Sequence, residues 1–141
     1  MKKKFKSILL IDDNAADNRY NQIILEEMNI ADKVEIAETG IEALEMLEDS
    51  DHPRPDLVLL DINMPKMNGW EFLEAYKKLG AGQDDKNKNV VVILTTSINP
   101  EDKARAEGIA GVAEFNTKPL TPDMLNNIFK KYLSQADDEE K

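Results

Sequence analysis

A chain of 141 residues with 41% apolar side chains suits one compact α/β domain with its own core. Its 28 acidic and 18 basic residues give a formal charge of -10, which opposes direct binding to nucleic acid or to an anionic membrane surface. The lack of cysteine excludes a disulfide frame and any thiolate-ligated metal or cluster.

In chain order, the opening Met1-Lys2-Lys3-Lys4-Phe5-Lys6 carries the charge of a secretory leader, but the apolar run Ile8 to Ile11 is too short for one and meets Asp12-Asp13. The lysines read as a solvated terminus and the protein as cytoplasmic, with no segment near the roughly 20 apolar residues needed to cross a bilayer. Ser7 to Ile11 predicts the first strand, and Asp12-Asp13-Asn14 after it offers turn and cap chemistry. Tyr20, Ile23, Ile24 and Met28 recur at helical spacing and mark the first helix. Val34 to Ala37 alternates as an edge strand does, and Ile41, Leu44 and Leu47 form the inner stripe of a second helix after Thr39-Gly40.

Pro53 and Pro55 punctuate the loop before Leu57-Val58-Leu59-Leu60, a continuous apolar run that fits a parallel strand covered on both faces. The loop Met64 to Gly69 leads into a third helix marked by Phe72, Leu73, Tyr76 and Leu79, and Gly80 to Asn89 predicts a mobile polar loop. Val90 to Leu94 is a further buried strand, Pro100 opens a fourth helix with a weak apolar face, and Val112 to Phe115 is the fifth strand. Thr121-Pro122 is a cap followed by proline at the first helical position, with Leu125, Ile128, Phe129 and Tyr132 as the stripe of the last helix. Alternation of strands and helices predicts a doubly wound, five-stranded parallel sheet, for which 2-1-3-4-5 is one common strand order and sets strands one and three side by side.

Residues with chemistry collect where these strands end: Asp12 and Asp13 after the first, Asp61 after the third, Thr95 after the fourth and Lys118 after the fifth. Open parallel sheets bind ligands beyond their carboxyl ends, at the point where strand order reverses, so Asp12, Asp13 and Asp61 are expected to share a pocket. With Lys118 they carry a net double negative charge, and like charges at about 4 Å repel by roughly 4 kcal/mol at an effective dielectric of about 20. A divalent cation relieves that repulsion, and an all-oxygen site open to water suits Mg²⁺. A carboxylate beside such a metal can attack a phosphoryl group and carry it as an aspartyl-phosphate, while Lys118 and the Thr95 hydroxyl hold the phosphoryl oxygens.

The ordered set Ile11-Asp12-Asp13-Asn14, Asp61-Ile62-Asn63-Met64-Pro65-Lys66-Met67-Asn68-Gly69, Leu94-Thr95-Thr96-Ser97 and Phe115-Asn116-Thr117-Lys118-Pro119-Leu120 spans nearly the whole chain. It resembles the receiver domains of two-component response regulators, which are flavodoxin-like (βα)5 folds. The resemblance implies phosphorylation at Asp61, Mg²⁺ bound directly by Asp13, through water by Asp12, and by the Asn63 carbonyl, and a phosphoryl group held by Thr95 and Lys118. It also implies a cis peptide at Lys118-Pro119 and an aromatic switch at Phe115, which lacks the hydroxyl of a tyrosine. Thr96 is the alternative phosphoryl ligand; Thr95 is preferred because it directly ends the apolar strand.

The partners implied are a sensor histidine kinase or histidine phosphotransfer protein and a downstream target protein. Residues 1–135 are expected to form the receiver and 136–141 an acidic disordered tail, with no fused output domain, so a stand-alone regulator. His52 reads as an exposed loop residue without a role, and Trp70 and the methionines as packing groups. Two other functions compete. An aspartyl-phosphate hydrolase needs a second acid where Asn63 stands, and a flavodoxin-type electron carrier needs a phosphate loop after the first strand that this sequence lacks.

Overall fold

The computed structural model describes residues 4–49, 51–52, 55–64, 67–78, 90–96, 99–108 and 112–133. Strands β1 (Phe5–Ile11), β2 (Ala31–Ala37), β3 (Leu57–Leu60), β4 (Val90–Thr95) and β5 (Val112–Thr117) alternate with helices α1 (Ala15–Met28), α2 (Gly40–Glu48), α3 (Gly69–Lys78), α4 (Pro100–Glu107) and α5 (Pro122–Ile128). All strand pairings are parallel and the order is 2-1-3-4-5, the flavodoxin-like arrangement. Every residue of β3 is buried, as expected for a central strand with helices on both faces. The sheet divides the core in two. Leu25 of α1 and Leu125 and Ile128 of α5 cover one face; Ala43 and Leu47 of α2, Phe72 and Tyr76 of α3, and Ala106 of α4 cover the other.

Register brings the sequence-predicted site residues together. Ile11 pairs with Leu60, so Asp12 and Asp61 leave adjacent strands at the same level, and the Asp61 amide donates to the Ile11 carbonyl at 3.0 Å. Thr95 pairs with Thr117, which places Lys118 one residue beyond the end of β4. The Lys118 amide donates to the Thr95 carbonyl at 2.8 Å, and the Lys118-Pro119 peptide is cis.

Several expectations need correction. β2 begins at Ala31 rather than Val34, because pairing with β1, starting at Phe5 opposite Ala31, makes strand out of a polar segment that its own side chains do not announce. Tyr20 and Ile23 are exposed, and α1 instead buries Asn18, Asn21 and Leu25. The cause is local: the Asn18 side-chain amide donates to the Asp12 carbonyl at 2.8 Å, which turns a polar stripe of the helix inward at its start. Ile41 is also exposed, because Gly40 seats the first turn of α2 against Met67 and the inward line becomes Gly40, Ala43 and Leu47. β1 and β5 each run two residues further than predicted, to Phe5 and Thr117. The last helix keeps its Thr121 cap, whose hydroxyl accepts from the Met124 amide at 3.2 Å, then ends as α-helix at Ile128 and continues as a π-helical turn over Phe129–Leu133. Pro53, Leu79, the predicted loop Gly80 to Asn89 and the acidic tail lie outside the described residues. Among the described residues no helix is long and apolar enough to cross a membrane.

Gly69 fixes the loop after β3. A Cβ there would lie 2.6 Å from the Ile62 Cα, and the Gly69 amide donates to the Ile62 carbonyl at 3.1 Å. Backbone cannot yield as a flexible side chain would. Gly69→Ala is therefore expected to destabilise the fold by about 1–3 kcal/mol, the usual cost of overpacking, measured as a lower urea midpoint with an unchanged slope.

Candidate functional site

The first turn of α1 is built around Asp12. The Asn14 amide donates to Asp12 Oδ1 at 2.9 Å, Asn14 caps the helix by accepting from the Asp17 amide at 2.9 Å, and Asn18 holds the Asp12 carbonyl. Asp12 and Asp61 are buried, only 5% and 6% exposed, whereas Asp13 faces solvent. One carboxylate oxygen from each of Asp12, Asp13 and Asp61 lies within 4.8 Å of the others. These three sequence-predicted residues thus meet at one crevice beyond β1 and β3, and their all-oxygen, high-charge character fits a hard divalent cation.

Lys118 reaches into this cluster. Its ammonium donates to Asp12 Oδ2 at 2.6 Å and to Asp17 Oδ2 at 2.6 Å, and stands 3.4 Å from Asp61 Oδ2. Burial by itself would lower the affinity of Lys118 for its proton, but the hydrogen bonds to Asp12 and Asp17 and the charge of Asp61 outweigh it, so the pKa lies above the ordinary lysine value. Asp61 shifts upward as well. Burial is the main cause and the charge of Asp12 adds to it, against the lowering effects of the Asn63 amide, which donates to Asp61 Oδ1 at 3.0 Å, and of Lys118. The Asp61 carboxylate is thus under electrostatic strain that an added cation would relieve.

Thr95 is fully buried at the end of β4, and its hydroxyl accepts from the Asn63 side-chain amide at 2.9 Å; Thr96 is exposed. Phe115 is half-buried and packs against the cluster under α2, α3 and α4. With Asn99, Pro100, Lys103, Asn116 and Thr117 it lines a groove of about 450 Å³. His52 differs from expectation. It is half-buried and its Nε2 lies 2.8 Å from Glu35 on β2, so it is a structural ion-pair or hydrogen-bond partner rather than a free loop residue.

Sequence reasoning missed Asp17, the Asn63 side chain and Tyr20. Asp17 looks like an ordinary acid complementing a helix N-terminus, and only the fold shows it clasping Lys118. The Tyr20 hydroxyl donates to the Leu120 carbonyl at 3.2 Å, linking α1 to the segment that follows the lysine.

An open parallel sheet with a carboxylate cluster at its switch point, an inserted lysine and a buried threonine defines a phosphoacceptor domain of the α/β class. Residues 8–130 match the family model of the response regulator receiver domain, and the chain belongs to that family. It is 38% identical to the chemotaxis protein CheY of Halobacterium salinarum over 125 residues, covering 87% of this chain and 93% of that one. It is 32% identical to the sensor histidine kinase CheAY of Helicobacter pylori over 94% of its own length but only 15% of that longer protein. Among solved structures, a two component response regulator from Cytophaga hutchinsonii superposes with a TM-score of 0.82 at 32% identity, covering 94% of this chain and 99% of that one. The protein is a receiver of two-component signalling, acting as a phosphoacceptor rather than as a metabolic catalyst. A hydrolase finds no support, since Asn63 has no proton to transfer as an acid and commits its amide to Thr95.

Proposed function

We infer that Asp61 accepts the phosphoryl group from a histidine kinase or histidine phosphotransfer protein in a Mg²⁺-dependent reaction, and that the protein then signals by binding a different target protein. The convergence of Asp12, Asp13 and Asp61 within 4.8 Å, beside the Lys118 ammonium, carries this reading. Asp13 would hold the metal directly and Asp12 through water, with Asp61 and the Asn63 main-chain carbonyl as the remaining protein ligands. Mg²⁺ bound there supplies positive charge against the carboxylates and the phosphoryl oxygens. An Asp61 oxygen bonds to phosphorus while the P–N bond of the phosphohistidine breaks, and the leaving imidazole takes up a proton. Lys118 and Thr95 bind the phosphoryl oxygens once the group is in place. In slow autodephosphorylation a water attacks phosphorus, the bond to Asp61 breaks, and inorganic phosphate leaves.

The kinase partner is supported by the occurrence of a related segment within a sensor histidine kinase. The cytoplasm is the compartment this reading implies, with residues 1–135 as the receiver and 136–141 as a solubilising tail. Acetyl phosphate with Mg²⁺ is expected to add one phosphoryl group, read by intact mass, and chelation with EDTA to prevent it. Full labelling in EDTA would overturn the metal-dependent mechanism.

A further inference from the structure

The Lys118 ammonium has three hydrogens and, among the described residues, three carboxylate neighbours, but they are not equivalent. Asp12 and Asp17 sit at 2.6 Å, in the short range of charge-assisted hydrogen bonds, whereas Asp61 is at 3.4 Å, near the limit of any such bond. The lysine is therefore drawn toward α1 and away from the oxygen that receives the phosphoryl group. Asp17 is well placed to do this. Its amide is tied to the Asn14 side chain and the next residue, Asn18, is tied to the Asp12 carbonyl, so the first turn of α1 is anchored on both sides of it.

The geometry points to Asp17 as a positioning residue that holds the Lys118 ammonium off the acceptor in the resting protein and releases it when a phosphoryl group arrives. The proposal rests on the reading of Asp61 as acceptor and of Asp12 and Asp13 as metal ligands. Once Asp12 faces a cation, Asp17 is the carboxylate that still competes for the lysine without belonging to the metal shell. A phosphoryl group on Asp61 brings more negative charge and more acceptor oxygens than the bare carboxylate, and that difference draws the ammonium across. Asp17 thus opposes capture of the phosphoryl group by a fixed local competition, and sets how readily the acceptor is occupied.

Beryllofluoride at saturating Mg²⁺ is the probe, since it occupies a carboxylate as a phosphoryl group does, with affinity followed by fluorine NMR. Asp17→Asn, with Asp17→Ser in parallel, is expected to bind it about five-fold more tightly, the low end of typical coupling between interacting sites. Simple removal of a negative charge would act in the same direction, so the Lys118 side-chain nitrogen signal decides between the two. In the free protein it should differ between wild type and both variants; in the beryllofluoride complex the signals should coincide, because the lysine has left position 17. A difference that persists in the complex overturns the proposal, as does unchanged or weaker binding by folded variants. If the wild-type protein binds no beryllofluoride, the acceptor reading falls and takes this proposal with it; binding without a gain in the variants overturns the role of Asp17 alone.

Discussion

Asp61→Asn is expected to abolish phosphoryl incorporation from acetyl phosphate and, in the same protein without metal, to raise the melting temperature. The first effect follows from loss of the carboxylate inferred to be the nucleophile, since an amide oxygen does not form a stable acyl phosphate, and intact mass reads it directly. The second follows from the upward shift of the Asp61 pKa, caused chiefly by burial and further by Asp12. An acid whose folded pKa exceeds its unfolded value binds its proton more tightly when folded, so its ionised form costs stability. That cost is complete above the raised folded value, fades as pH falls toward the ordinary carboxylate value, and is absent below it. The stabilisation by Asp61→Asn should therefore be largest at neutral pH and vanish in acid. Asparagine keeps an oxygen for the Asn63 amide, and Lys118 keeps Asp12 and Asp17, so no buried partner is orphaned. A variant that still gains one phosphoryl group would move the acceptor elsewhere; one that melts lower at neutral pH would show that the carboxylate is not strained.

Thr95→Ala should separate phosphorylation from its consequence. Thr95 is fully buried, its hydroxyl is engaged by Asn63, and its strand pairs Ile93 with Phe115 and Thr95 with Thr117. A phosphoryl group on Asp61 would accept a hydrogen bond from that hydroxyl, and movement of Thr95 toward it would change the space available to the Phe115 ring beside the groove at α4. A bound group biases such an equilibrium only by its differential interaction with the two arrangements. Without the hydroxyl, the variant is expected to take up phosphate on Asp61 while the chemical-shift changes around Phe115 and Leu125 become much smaller than in the unmutated protein. Retention of the full remote shifts in Thr95→Ala, with their loss in Thr96→Ala, would transfer the role to the exposed neighbour. Retention in both would reject this route.

The centre of the fold was legible because burial on two faces leaves a blunt signature: Leu57-Val58-Leu59-Leu60 followed at once by Asp61 reads as a central strand with a carboxylate at its end. The same logic exposed Asp12, Thr95 and Lys118, each placed by the end of a strand. What stayed hidden depends on pairing between distant segments. Ala31 to Lys33 become strand only because β1 lies beside them. The first turn of α1 faces inward through Asn18 because a polar side chain satisfies a strand-end carbonyl, an arrangement that apolar periodicity cannot register. Asp17 escaped notice for a related reason: a clasp spanning 101 positions of sequence leaves no local trace.

The backbone bond between the Lys118 amide and the Thr95 carbonyl has a consequence for how the protein breathes. It ties together the main chains that carry Thr95 and Lys118, the two side chains proposed to bind the phosphoryl group. Solvent can reach that amide proton only when β4 and the segment after β5 part, so its deuterium uptake should be slow and should track the deeper openings of the sheet. Phosphorylation should leave that rate almost untouched while the exchange of amides in α4 changes. Such a contrast would mark the ends of β4 and β5 as a fixed frame, past which side chains and a helix move while the strands themselves stay joined.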